Sequence, residues 1–492
     1  MSSMVRHEYS LVTDSEKGTA SRSAVRRQKR RGAAVLAIVL VALATAFVIT
    51  PLPHQEVEAS SECEATASCN GSESTHLWGQ YSPFFPVPSD LETSVPDDCS
   101  LTSVSVLSRH GSRFPTAHKT ETYSSLISRI QESVTEYADG FEFIRDYTYD
   151  LGSDSLTAFG QQQLSDLGST VHGRYGGLVS SADDGPFVRA SGSARVIMSA
   201  ENFTSGFYAA KGTLGNGEAI LVVSEDEGYN NTLNHGACTQ FEEGPDADLG
   251  DDKQAAYAAT WIPDVTDRLN AKLPGANLTD EETVYVMDLC PYDTVASDGA
   301  RDVSKFCNLF SRAEWLDYDY YRSVEKWYAY GSGNPLGSTQ GVGYVNELVA
   351  RLTRSPVKDH TSTNSTLDSD PATFPLNRTL YADFSHDNTM SSIYAALGLY
   401  NATGNLPVDE RVEPGQAAGY SAAWTVPFAG RMYVEKMSCA AADEELVRIL
   451  VNDRVVPLQS CDADELGRCR LSDFVDSLSF ARDGGDWDKC FV

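Results

Sequence analysis

Arg109-His110-Gly111-Ser112-Arg113-Phe114-Pro115 follows directly on Leu101–Ser108, a run of β-forming composition, and sets a histidine between two arginines just past a strand end. A phosphate monoester needs a nucleophile surrounded by fixed cations, because negative charge sits on the oxygens of the transferring group. Arginine suits that role, since its planar fork binds two oxygens at once and does not lose its proton. Neutral imidazole is a fitting nucleophile, because it attacks without first being deprotonated. A basic surface turn has the same composition, so the motif acquires meaning only from its context.

That context lies far downstream. Thr379–Phe384 again has strand composition, and His386-Asp387 follow at once. Both histidines are thus expected just beyond the carboxyl ends of strands, where open α/β sheets bind ligands. A departing alkoxide needs a proton, and a neighbouring carboxylic acid can supply it. Asp387 is the candidate donor and His386 a further phosphate ligand. Between the two motifs, FVRASGSARVIMSAENF reads as a strand, a Ser-Gly-Ser turn and a helix. With Ser191 or Ser193 as N-cap, Arg195 falls in the first helical turn, where amides and dipole already favour an anion. Arg189, on the strand, fits a structural ion pair better.

Together these motifs resemble the fungal phytases of the histidine acid phosphatase family, within the phosphoglycerate mutase-like superfamily. The family's RHGxRxP stands at Arg109–Pro115, its distal HD pair at His386-Asp387, and its intervening arginine, in an SGSxRV setting, at Arg195. Further similarity runs through GNPLGSTQGVGY (333–344), SAAWTVPFAGRMYVE (421–435), LVNDRVVPL (450–458) and SFARDGGDWDKC (479–490), covering roughly Cys63 to the C-terminus. The resemblance implies that His110 is phosphorylated, that Arg109, Arg113, Arg195 and His386 hold the phosphate, and that Asp387 protonates the leaving oxygen and then helps activate water. It implies neither cofactor nor metal, and no HExxH or C-x-x-C cluster is present to bind one. It also implies disulfides Cys63–Cys69, Cys99–Cys439, Cys238–Cys490, Cys290–Cys307 and Cys461–Cys469, pairs that sequence alone does not choose.

The implied fold is α/β, a central mixed sheet flanked by helices with an inserted smaller helical domain roughly within 120–290. Strand signals at 101–108, 186–190, 379–384, 422–435 and 447–457 surround stretches of helical periodicity at 120–180 and 253–273. Gly331-Ser332-Gly333-Asn334-Pro335-Leu336-Gly337 superficially suggests a glycine-rich phosphate loop. An aromatic, helical stretch precedes it where a dinucleotide loop needs a strand, and a structural turn is the better reading.

Composition sets the surroundings. The chain of 492 residues has a formal net charge of −31; its first 50 residues carry eight Lys/Arg and three Asp/Glu, so the remainder stands at −36. That excludes nucleic acid as a natural partner. It also repels a polyanion less as carboxylates protonate, in line with an acid working range. The arginines and second histidine should keep His110 neutral, and low pH favours a protonated Asp387.

Gly32–Thr50 is uncharged and predominantly apolar, long enough to span a bilayer, and follows Arg26, Arg27, Lys29, Arg30 and Arg31. It predicts a single-pass type II membrane protein: cytosolic basic tail 1–31, transmembrane signal-anchor 32–50, stem 51–75 and lumenal or extracellular catalytic domain 76–492. The small residues Ala42–Ala46 allow the alternative of a cleaved leader and a secreted protein. All ten cysteines, and the sequons at Asn70, Asn202, Asn230, Asn277, Asn364, Asn377 and Asn401, lie beyond this segment, as an oxidising, glycosylating compartment requires.

Phytate, with six phosphates, is the substrate the resemblance implies. Lys119 and Lys326 are the candidate outer substrate contacts, diluted by Thr120, Glu121, Thr122 and Glu325. A broad acid phosphatase without phytate preference is the alternative. A glycosylated surface protein that only binds anions is a third reading, which the full set of pocket residues opposes.

Overall fold

The computed structural model describes residues 74–179, 185–213, 219–300 and 302–492. Its sheet runs in the order β3-β2-β4-β1-β5-β6-β7, from β1 (Cys99–Arg109), β2 (Phe187–Ser191), β3 (Leu221–Val223), β4 (Leu380–Ser385), β5 (Arg431–Cys439), β6 (Leu446–Val451) and β7 (Arg454–Val455), with β8 (Arg468–Arg470) pairing β6. β3, β2, β4 and β1 are parallel, and β5, β6 and β7 extend the sheet antiparallel, so it is mixed. The helices used below are α1 (Ala117–Ser133), α2 (Ala158–Tyr175), α3 (Ala194–Lys211), α4 (Leu249–Ala258), α5 (Ile262–Lys272), α6 (Asp280–Ala296), α7 (Arg312–Ala329), α8 (Val342–Thr353) and α9 (Asp387–Ala396).

Strand side chains alternate between two cores, as a pleated sheet requires. Val104, Val106, Val188, Ala190, Leu380, Ala382 and Phe384 pack with Leu164 and Leu167 of α2 and Phe203 and Phe207 of α3. Leu107, Val434 and Ile449 face the other way, into a larger core shared with Tyr123, Leu269, Met287 and Tyr318 of α1, α5, α6 and α7. That helical layer draws on segments both before β2 and after β3. Local signals start its helices: Thr279 with Glu282, and Ser311 with Glu314, form capping boxes ahead of α6 and α7.

The strand expected over 422–435 begins only at Arg431. Ala422–Thr425 forms a short helix under Ser421, whose hydroxyl accepts the Trp424 N–H. The short strands β3 and β8 carry too few residues to show a period.

Four disulfides form: Cys99–Cys439, Cys238–Cys490, Cys290–Cys307 and Cys461–Cys469. Cys63, Cys69 and Asn70 lie outside the described residues. Asn230, Asn277, Asn377 and Asn401 are exposed, whereas Asn202 and Asn364 are half-buried.

The expected type II membrane protein requires correction. Among the described residues no helix is long and apolar enough to cross a membrane. The segment that suggested a transmembrane signal-anchor, 32–50, lies outside them, as does the basic tail. An apolar run behind a basic flank serves a removable leader as well as an anchor, so hydropathy alone does not establish membrane attachment.

Candidate active site

Strand register brings the two histidine motifs together. β1 pairs β4 with Arg109 opposite Ser385, so His110 and His386 are the next residues of adjacent parallel strands. The His110 N–H donates to the Ser385 carbonyl at 3.1 Å, and the two imidazoles meet edge to face with centroids 5.7 Å apart. On the other side the His110 carbonyl accepts the Ala429 N–H, which ties the turn to the segment leading into β5. Gly111 is required by close approach: a Cβ there would lie 2.3 Å from the Gly160 carbonyl oxygen in the first turn of α2.

His110 is 1% exposed. Its Nδ1 lies 2.9 Å from the Gly111 carbonyl oxygen, which can only accept, so Nδ1 carries the proton and Nε2 keeps the lone pair. Burial, then the charges of Arg109, Arg113, His386 and Arg195, hold the His110 pKa well below its ordinary value. Each of these causes favours the neutral ring.

The cations differ in how they are held. Arg109 is fully buried: it donates to the Gln80 and Val426 carbonyls, lies 4.5 Å over the Phe428 ring, and approaches Asp387 Oδ2 at 3.4 Å. Arg113 donates to the Phe114 carbonyl, and Arg195 projects from the first turn of α3. Neither of the last two forms an ion pair within 4 Å among the described residues.

Asp387 opens α9, with His386 as N-cap. Its Oδ2 is shared by Arg109 and by Lys326 Nζ at 3.0 Å. Burial pushes this carboxyl up, but Arg109, Lys326 and His110 together bring it well below the usual carboxylate range. His386 is lowered by burial, while Glu225 opposes that shift and Arg195 adds to it.

All of these groups except the fully buried Arg109 border a polar cavity of about 260 Å³ lined by His110, Arg113, Arg195, Lys326, His386 and Asp387, together with Gln80, Tyr81, Glu225, Asn234, His235, Glu325 and Asn388. Lys326 is 3% exposed and also binds Asn388 and Glu325. Lys119 is not among the lining residues; its Nζ bonds the Tyr81 hydroxyl and buried Asp288 at 3.2 Å. Sequence reasoning missed Glu225, Asn234 and His235, which come from loops, and Gln80 and Tyr81, which sit on the single 3₁₀ turn Gly79–Tyr81. Asn388 was within reach, since it follows the His-Asp pair directly.

The fold and this cavity define a phosphate-ester chemistry built on histidine. The sequence profile of the histidine phosphatase superfamily (branch 2) matches residues 100–452, and the chain belongs to that family. It is 49% identical over 475 residues to phytase A of Aspergillus oryzae, covering 93% of this chain and all of that one. With phytase A of Aspergillus fumigatus it shares 52% identity over 426 residues, covering 85% and 90%. Among solved structures, the phytase from D. castellii superposes with a TM-score of 0.69 at 22% identity, covering 85% of this chain and 87% of that one. A Bifidobacterium longum multiple inositol polyphosphate phosphatase in complex with inositol hexasulfate gives 0.57 at 16%, covering 82% and 97%. These last two establish likeness of fold. The relatives of about half identity carry the name of a phytase and not of a membrane protein, which again goes against the anchor read from residues 32–50.

Proposed function

We propose that this protein hydrolyses phosphate monoesters, phytate in particular, through a phosphohistidine on His110. It is a phosphoric monoester hydrolase. The observation that carries the mechanism is the fixed tautomer of His110. Nδ1–H is held by the Gly111 carbonyl, and the Nε2 lone pair belongs to a residue lining a cavity with two arginines that have no carboxylate partner among the described residues. The phytate specificity rests on the relatives named phytase A at about half identity.

In the first step Nε2 attacks phosphorus, the N–P bond forms and the P–O bond to the alcohol breaks. Arg109, Arg113, Arg195 and His386 take the charge on the phosphoryl oxygens. Asp387 gives its proton to the departing alkoxide. Water then attacks phosphorus, the N–P bond breaks, Asp387 takes up the water's proton, and inorganic phosphate leaves. The free enzyme keeps Asp387 ionised through Arg109 and Lys326. An arriving phosphate brings negative charge to those same cations, weakens their hold and raises Asp387 toward protonation. Acid pH assists that change, while His110 stays neutral because its own pKa is depressed.

The test is phosphate release from phytate and from p-nitrophenyl phosphate across pH 2–8 with EDTA present, alongside His110→Ala. Acid-range activity strongest on phytate, and lowered by roughly 10⁴-fold or more in the variant, is expected. Equal or better turnover of the simple ester would identify a broad acid phosphatase. Activity that survives His110→Ala would overturn the phosphohistidine.

A further inference from the structure

The cavity that receives an anion has a carboxylate in its wall. Glu225 follows β3 in the run Ser224-Glu225-Asp226-Glu227, which reads in sequence as an acidic surface loop. In the fold three donors converge on its Oε1: the Ser191 hydroxyl at the end of β2, the Ser193 N–H at 3.1 Å, and His386 Nε2 at 2.9 Å. Asn231 bonds the Ser191 hydroxyl in turn at 3.0 Å, so the carboxylate is held from behind. The side chain is 26% exposed, and a negative charge placed there works against phosphate binding unless it serves another group.

We propose that Glu225 is a positioning residue for His386: its Oε1 fixes the Nε2–H and favours the cationic form of the ring in the phosphate pocket. This rests on the proposed function, because it assigns His386 to the phosphate. An ionised carboxylate only accepts, so Nε2 must be the donor and Nδ1 is left as the nitrogen that gains or loses a proton. Burial raises the Glu225 carboxyl, but its bond to His386 and the donors from Ser191 and Ser193 bring it to about 2, so it is charged over most of the acid range. The charged groups around His386 are Glu225 from the loop after β3, Arg195 from α3, Asp387 from α9 and His110 at the end of β1. Arg195, and His110 when protonated, oppose a positive imidazole. Glu225 and Asp387 favour it, and Asp387 is already engaged by Arg109 and Lys326. Glu225 is thus the carboxylate dedicated to His386.

The experiment follows the imidazole signals by NMR against pH in the whole protein, with His386 identified by its loss in His386→Asn. Glu225→Gln keeps an acceptor for Nε2–H and removes the charge. The titration of His386 is expected to fall by about one pH unit. The alkaline limb of kcat/KM for phytate should move the same way, with the loss appearing mainly as a higher KM. Glu225→Asp should restore part of both shifts. An unchanged His386 titration in Glu225→Gln would overturn the proposal, whatever happens to activity. Absence of phosphatase activity in the wild type would defeat the proposed function instead, and the titration would still decide whether Glu225 governs His386.

Discussion

Two clusters of buried charge share strands β2 and β4 but differ in balance. Below the strand ends, Arg189 and Arg351 are matched by Asp383 and Glu347: Arg189 binds Asp383 at 2.8 Å and Glu347 at 2.6 Å, while Arg351 binds both Asp383 oxygens. Tyr344 donates to Asp383 Oδ2 and Thr232 to Glu347 Oε2, oxygens that already accept from the arginines, and all four charged side chains are at most 3% exposed. Beyond the strand ends, Arg113 and Arg195 have no such carboxylates among the described residues. A closed, charge-balanced cluster stabilises the sheet against the helix α8 that supplies Glu347 and Arg351. An open one with cations in excess awaits an anion from outside. The alternation of the strand separates them: Arg189 and Asp383 point to the α8 side, and only residues past the ends reach the cavity.

The largest effect that sharpens this contrast comes from Asp387, the carboxylate that Arg109 and Lys326 share. In Asp387→Asn, turnover of phytate should fall by about 10²–10⁴-fold, since an inositol alkoxide needs a proton. Turnover of p-nitrophenyl phosphate should fall far less, because nitrophenolate leaves unaided. A uniform loss on both esters would remove Asp387 from the role of acid.

Next come two arginines six residues apart. Arg195→Ala should lower kcat/KM by roughly 10²–10³-fold with the melting temperature unchanged. Arg189→Met leaves Asp383 and Glu347 short of a partner and should destabilise the fold by about 3–5 kcal/mol, while the protein that does fold retains its KM. If the two variants exchange these signatures, the division into balanced and open clusters fails.

The smallest effect lies at the edge of the balanced cluster. Burial, then the charge of Glu347, push Asp368 up to about 7 from an ordinary value of 3.8. The folded chain therefore holds a proton that the unfolded chain releases. The stability this gives is full below about pH 4 and is lost as pH rises through about 7. Asp368→Asn should flatten that slope and narrow the difference in melting temperature between pH 4 and pH 7 by roughly 1–2 °C, measured calorimetrically.

Much of the molecule is legible in its sequence, for physical reasons that can be named. The motif at Arg109–Pro115 and the pair His386-Asp387 each follow a buried strand, and buried strands announce themselves by composition. Parallel pairing of β1 with β4 then places the histidines side by side. Arg189 is legible as an ion-pairing residue because it alternates with Val188 and Ala190. Glu225 is not, since its neighbours Asp226 and Glu227 give it the look of a solvated loop, and only β3, three residues long, brings it to the site. The first part of the strand read over 422–435, residues 422–430, fails because Val426 and Phe428 are buried by tertiary packing and not by a pleat. Lys119, read as an outer contact, has its ammonium held between buried Asp288 and the hydroxyl of Tyr81, a pairing across helices that sequence does not announce.

The bridge between Cys99 and Cys439 bears on how the molecule recovers from heat. The two residues stand opposite one another where β1 and β5 pair, with a sequence separation of 340. Contacts that distant in sequence are the slowest for a chain to find, because loop closure precedes any gain from pairing. With this crosslink intact, an unfolded chain never loses that encounter, and the restriction amounts to roughly 5–6 kcal/mol of chain entropy removed from the unfolded ensemble. The strand that ends in Arg109-His110 is thus tethered at its far end, in register, before refolding begins. Refolding after thermal unfolding should accordingly be rapid while the chain is oxidised, and slow and aggregation-prone once it has been reduced.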